Sequence, residues 1–153
     1  MSQEQLTTIY NFLPISESLV TAGQPTEEEF PLLHKAGYEI VVNLALPTST
    51  NALPDERSVV EAAGMTYVPI PVQWETPTLS DLEQFFQVLQ TSGDRKIFVH
   101  CAMNMRVSAF VYLYRRIYEK TDAAIALADL HRIWEPNPTW QAFIEQALAH
   151  YQA

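Results

Sequence analysis

Two rhythms of apolar and polar positions alternate along the chain. Short apolar, β-branched runs end at Gly, Pro or Asn, and between them apolar residues recur every three to four positions. Residues 18–24 follow Pro14 and read as a short strand with its exit. Thr26 and Glu29 form a capping box that opens a helix to about Ala36, which Gly37 closes. Residues 38–46 (YEIVVNLAL) are almost continuously apolar, as in a strand covered on both faces. After a polar loop, Pro54 and Asp55 open a helix that stops at Gly64. Residues 65–72 form a further strand, whose prolines put it at an edge or at a strand exit. Leu82, Phe85, Phe86 and Leu89 share one face of a helix over residues 81–90. Residues 96–100 (KIFVH) read as a buried strand, followed by a long helix from about Met105 to Glu119. Thr121 caps the next helix, which runs to about Trp134, and Asn137-Pro138 opens the last, which runs to about Tyr151.

Strands that alternate with helices and give way to three helices in a row predict an α/β fold. Its central sheet is mostly parallel and flanked by helices, with a helical cluster at the C-terminus. The length, 153 residues, fits a single domain over 1–153, with residues 1–12 as a loosely attached segment. In such sheets ligands bind beyond the carboxyl ends of the strands, which directs attention to the loop after His100.

Composition narrows the function. A net charge of −9 and a pI of about 4.8 argue against a general nucleic-acid binder and against a basic membrane-surface protein. Residues 1–12 lack the pattern of a signal peptide, and no stretch approaches the roughly 20 apolar residues of a membrane helix. The expectation is a cytoplasmic protein with no nucleic-acid or membrane partner. The charge is uneven: between residues 95 and 132 basic side chains outnumber acidic ones seven to three. This is either a set of solvated helix faces or a locally positive site for an anion. Cys101 is the only cysteine, which excludes an internal disulfide and a cysteine metal cluster. His34, His100, His131 and His150 show no ligand spacing, so no metal or cofactor is expected.

The run F-V-H-C-A-M-N-M-R-V-S, residues 98–108, carries the candidate chemistry. A buried strand delivers Cys101 to a helix start, where backbone N–H groups and the helix dipole favour negative charge. Cys101 is thereby placed to act as a thiolate nucleophile. An oxyanion over the loop would meet the amides of Ala102, Met103, Asn104, Met105, Arg106 and Val107, and the planar guanidinium of Arg106 suits a phosphate. Gly23-Gln24 ends a strand, where it either lines the pocket or only turns the chain.

These residues resemble the signature loop H-C-x-x-G-x-x-R-S/T of the cysteine-dependent protein tyrosine phosphatases. Together with L-V-T-A-G-Q-P-T (19–26), V-V-N-L (41–44) and Y-V-P-I-P-V (67–72), they are similar to a small bacterial phosphatase-like group. That group is related to the β-lactamase hydrolase-like phosphatase domain. The resemblance implies a dual-specificity-phosphatase-like fold and a phosphorylated small molecule or phosphoprotein as substrate. It implies that Cys101 attacks phosphorus to give a phosphocysteine, which water then hydrolyses. It further implies that Ser108 donates to the departing thiolate and that His100 supports the loop. The general acid would be a carboxylate near residues 72–77, where Glu75 and Asp81 are equal candidates; if Gln73 holds the acid's position, the acid is absent.

The loop departs from the family pattern in two places. Asn104 stands where the family has glycine, and Asn is the side chain that best tolerates a left-handed backbone. The family's arginine falls at Val107, whereas this chain has Arg106, about 100° away around a helix. Two alternatives stay open. One is a phosphate-binding pseudophosphatase with little turnover. The other is a sulfurtransferase using a Cys101 persulfide, since C-x4-R is also similar to the rhodanese loop.

Overall fold

The computed structural model describes residues 6–152; residues 1–5 of the expected N-terminal segment, and residue 153, lie outside the described residues. Five strands form one sheet: β1 (Leu13–Pro14), β2 (Leu19–Ala22), β3 (Tyr38–Asn43), β4 (Thr66–Pro69) and β5 (Lys96–His100). Their order is β1-β2-β5-β3-β4. The β2–β5, β5–β3 and β3–β4 pairs are parallel, and β1 alone runs antiparallel to its neighbour. This is the mostly parallel α/β sheet expected, with the proline-containing β4 at one edge. Antiparallel β1 was not anticipated, because a two-residue strand carries no periodicity to read.

Among the described residues, six helices with stated bounds complete the fold: α1 (Glu29–Lys35), α2 (Glu56–Ala62), α3 (Leu79–Thr91), α4 (Met105–Ile117), α5 (Ala123–Ile133) and α6 (Pro138–His150). Local chemistry explains their ends. Gly37 and Gly64 adopt φ of +98° and +95° after α1 and α2, where a side chain would be strained. Asn137 caps α6 by accepting from Trp140 N at 2.9 Å, with Pro138 in the first turn. Two caps differ from expectation. Glu29 reaches back to Thr26 N at 2.8 Å, but α1 begins only at Glu29, so only the returning half of the capping box forms. Asp122, rather than Thr121, caps α5 by accepting from Ala124 N at 3.1 Å.

The pleat sorts side chains onto two cores. On one face Leu19, Ile40, Val42, Ile97 and Val99 pack against α3, α4 and α6 through Leu82, Phe85, Phe110 and Trp140. On the other, Val20, Val41 and Phe98 pack against α1 and α2 through Phe30, Leu33 and Val60. Tyr38 joins this second face because the β3–β5 register shifts between Tyr38 and Ile40. α4 is buried almost all round, as a helix enclosed by sheet and other helices must be. No helix among the described residues is long and apolar enough to cross a membrane.

The described part of the N-terminal segment, residues 6–12, is packed against the domain rather than loosely attached. Leu6 and Ile9 are buried in the second core, and Tyr10 O accepts from Gly23 N at 2.7 Å. Their spacing of three residues is too short to register as a periodic element. Leu6→Ala is expected to destabilise the protein by about 2–5 kcal/mol in denaturant unfolding, as for other buried leucines. A loss under about 0.5 kcal/mol, the range of surface substitutions, would restore the loosely attached reading.

Candidate active site

The site lies at the carboxyl end of β5, the middle strand of the sheet. Alternation along β5 sends Ile97, Val99 and Cys101 to the α4 face and Phe98 and His100 to the α2 face. Cys101 is buried at the bottom of a cavity of about 170 Å³, which Trp74, Ala102, Met103, Met105 and Arg106 also line. Asn104, the residue before α4, has φ +68° and ψ 1°, so the family's glycine position is left-handed here, as an Asn allows. Its buried side chain adds a function that glycine lacks. Asn104 Nδ2 donates to Asn11 O at 2.9 Å and to Thr21 Oγ1 at 3.1 Å, tying the loop to β2 and the N-terminal segment.

Three successive loop carbonyls are bound from outside. Cys101 O lies 3.2 Å from His100 Nδ1. Ala102 O accepts from Gln24 N at 3.1 Å and from Asn51 Nδ2 at 3.1 Å. Met103 O accepts from Asn11 Nδ2 at 3.0 Å. In a planar trans peptide the N–H points opposite the C=O, so these bonds turn the amides of Ala102, Met103 and Asn104 the other way. Among the described residues, the amides from Ala102 to Val107 have no protein acceptor; the next, Ser108 N, bonds Asn104 O at 2.8 Å. Such a run of aligned amides is an anion-binding concavity.

Arg106 reaches the same cavity. It is buried; its Nη1 donates to Val72 O at 3.0 Å and its guanidinium lies 5.9 Å from the Trp74 ring centre. Among the described residues no carboxylate pairs with it. A buried guanidinium with five donors and one carbonyl acceptor is short of an anion. Val107, at the family's arginine position, is fully buried in the core, so only its backbone serves the loop. Two other cations of the basic segment are engaged elsewhere: Arg115 pairs with Asp129 at 2.6 Å, and Lys96 donates to Ala36 O at 2.9 Å.

The remaining expected residues fall differently. Ser108 Oγ donates to Met105 O at 2.7 Å and accepts from Trp134 Nε1 at 3.0 Å. Its proton goes to the helix backbone in this structure, and the expected donation to Cys101 is not among its hydrogen bonds here. Glu75 is exposed and does not line the cavity. Asp81 sits in the first turn of α3, where Thr78 Oγ1 accepts from its amide at 3.1 Å, and it too lies outside the lining. Trp74 takes the wall that a carboxylate was expected to supply. It packs against Trp134 and Trp140 with ring centres 5.3 and 5.8 Å away, and its carbonyl accepts from Trp140 Nε1 at 2.9 Å.

One residue escaped the sequence reading altogether. Glu56, the first residue of α2, is buried with Oε2 2.5 Å from His100 Nε2 and Oε1 2.8 Å from Gln24 Nε2. Burial pushes its carboxyl up, but the hydrogen bond and charge of His100, with hydrogen bonds from Gln24 and Tyr67, outweigh it. They hold the group below its ordinary value of 4.5. Its neighbour Asp55, the cap of α2, disguised it as an ordinary acid of a helix first turn.

A family model described as "DSP-PTPase phosphatase fused to NAD+ Kinase" matches residues 14–143. A solved putative phosphatase (DUF442) of Shewanella putrefaciens CN-32 is 36% identical with a TM-score of 0.88, over 97% of both chains. The core catalytic domain of the PP-IP phosphatase SIW14 of S. cerevisiae shares the fold at a TM-score of 0.75 and 14% identity, over 91% of this chain and 86% of that one. A "Beta-lactamase hydrolase-like protein" of Agrobacterium fabrum is 34% identical over 90 residues, 57% of this chain. The match spans 21% of that relative's length.

Two tests follow from the geometry. A Cβ on Gly23 would lie 2.7 Å from Tyr10 Cδ2 and 2.9 Å from Ala102 O. Gly23→Ala is therefore expected to push the clamped loop and weaken binding of inorganic phosphate, measured by calorimetry; unchanged affinity would show that the loop yields without cost. Glu56 supplies a pH dependence. Its folded-state value is lowered, so the unfolded chain takes up the proton first on acidification. Its stabilisation is complete above 4.5 and is lost as pH falls through the lowered value. Carboxyl-carbon NMR titration of the natural chain should place the Glu56 midpoint below 4.5; a midpoint at or above 4.5 would show that burial outweighs the hydrogen bonds.

Proposed function

The chain belongs to the family of DSP-PTPase phosphatases matched over residues 14–143, and from that premise we propose that it hydrolyses a phosphomonoester through a phosphocysteine on Cys101. The observation that carries this reading is the buried, carboxylate-free Arg106 in the same small cavity as Cys101 and the unpaired amides of residues 102–107. A phosphoryl group there would have its oxygens on the amides and on the guanidinium, and its phosphorus facing the sulfur. The thiolate forms the S–P bond as the P–O bond to the leaving alcohol breaks, and the leaving oxygen takes a proton from solvent water. Water then attacks phosphorus, the S–P bond breaks, and phosphate leaves. Amides fixed in advance stabilise the charge on the equatorial oxygens without reorganising. In this reading Arg106 does the work that the family pattern gives to an arginine one residue later. The C-x4-R spacing thus belongs to a phosphatase loop, and the sulfurtransferase alternative is set aside. The substrate is a phosphorylated small molecule or a phosphoprotein.

A second reading is favoured by one specific observation: neither Glu75 nor Asp81 lines the cavity, so the leaving oxygen has no carboxylic acid beside it. The protein would then bind phosphate with little turnover. An aryl phosphate separates the two, because its leaving group departs without an acid. The expected result is hydrolysis that Cys101→Ser abolishes and Arg106→Lys lowers by about 10²–10³-fold, the range for losing one oriented charge-stabilising donor. Activity that survives Cys101→Ser would overturn the covalent mechanism. Phosphate binding without any turnover would establish the second reading.

A further inference from the structure

The floor beneath the Cys101 loop is a polar chain, buried except at half-buried Tyr67, that the reaction steps above do not use. It runs from Asn43 through Tyr67 and Glu56 to His100. Asn43 Nδ2 donates to Tyr67 Oη at 3.0 Å, and Tyr67 in turn donates to Glu56. Burial raises the Tyr67 phenol from its ordinary 10.0, so it keeps its proton and remains a donor. Glu56 then meets Gln24 with one oxygen and His100 with the other.

His100 is fully buried, and each of its ring nitrogens faces an acceptor. Nε2 is 2.5 Å from the Glu56 carboxylate and Nδ1 is 3.2 Å from Cys101 O. Two acceptors at two ring nitrogens call for two N–H groups, and an imidazole has two only in its cationic form. Phe30 and Phe98 flank the ring, with centres 6.2 and 5.9 Å away, and among the described residues its ring nitrogens have no further hydrogen-bond partner. A buried cation needs a buried anion, and Glu56 supplies it. The remaining contact, Nδ1 to Cys101 O, acts on the reaction loop. It fixes the peptide plane between Cys101 and Ala102, whose opposite edge carries the first amide of the anion cradle. Gln24 binds Glu56 through its side chain and Ala102 O through its backbone, so the next peptide plane is tied to the same carboxylate.

We propose that Glu56 is a positioning residue for the Cys101 loop, keeping His100 doubly protonated so that the ring clamps the Cys101 carbonyl and aims the Ala102 amide at the bound phosphoryl group. The inference rests on the phosphate-site reading above. It goes beyond that reading by assigning a carboxylate that touches neither substrate nor nucleophile.

The test compares the natural chain with Glu56→Gln, which keeps the shape and the acceptor for Gln24 but removes the charge. Long-range proton–nitrogen NMR at neutral pH should show two protonated ring nitrogens on His100 in the natural chain and one in the variant. The variant's kcat/KM on an aryl phosphate is expected to fall about 10- to 100-fold, as misplacement of a reacting geometry does. Its dissociation constant for inorganic phosphate should rise, while the folded fraction in circular dichroism stays unchanged. A folded Glu56→Gln with natural kcat/KM and phosphate affinity would overturn the proposal, as would a His100 ring that stays doubly protonated. If the natural chain turns over no aryl phosphate, the hydrolytic reading fails separately, and the phosphate affinity and the NMR signature still decide the role of Glu56. Should Glu56→Gln fail to fold, His100→Gln, whose one amide nitrogen cannot face both Glu56 and Cys101 O, takes its place; a folded variant with natural phosphate affinity would overturn the proposal.

Discussion

The carbonyls of Cys101, Ala102 and Met103 are each held from outside the loop: by His100, by Gln24 with Asn51, and by Asn11. Because a peptide plane is rigid, fixing the oxygen edge fixes the amide edge. The cradle is therefore built by residues that never enter it. These come from the N-terminal segment, the exit of β2, the loop after β3 and β5 itself, so the site requires the whole sheet end to be assembled. The burial of Leu6 and Ile9 belongs to this account, since it holds Asn11 against the loop. Without such clamps a short loop of ordinary residues would have little reason to leave its amides unpaired.

Arg106 is the electrostatic counterpart of those amides. Taking a guanidinium out of water is costly when only one carbonyl receives it, and the face of Trp74 compensates for part of that. The loop brings the displaced arginine to the cavity all the same. Asn104 turns left-handed immediately before α4 and commits its side chain to β2 and the N-terminal segment. The following turn thus presents residue 106 to the cavity and residue 107 to the core. Helix periodicity, which makes the shift look disabling in the sequence, is also what makes Val107 a good core residue.

Much of this was legible in the sequence where local chemistry sets local structure. The strand at residues 96–100, the left-handed Asn104, the Asn137-Pro138 helix start and the stops at Gly37 and Gly64 all express short-range rules. The parallel sheet followed from the alternation of two periodicities. What remained hidden depends on distance in the fold. Glu56 lies 44 residues from His100 and resembles any acid in a helix's first turn. Nothing local shows that the hydroxyl of Ser108 is engaged by Trp134, or that Trp74 rather than a carboxylate closes the cavity. Gln24 was visible as a strand-end residue that either lines the pocket or turns the chain; its contacts to Glu56 and to Ala102 O come from the pairing of β2 with β5.

The tryptophan cluster has a consequence of another kind. The chain contains three tryptophans, and Trp74, Trp134 and Trp140 all lie within one packed group. One of them forms a wall of the cavity, and another is hydrogen-bonded to α4 through Ser108. The tryptophan emission of this protein therefore originates in one group that adjoins the cavity through Trp74 rather than being averaged over the molecule. Any ligand that moves Trp74 or changes the charge on the neighbouring guanidinium acts directly on the fluorophores, so occupancy is written into the protein's intrinsic light.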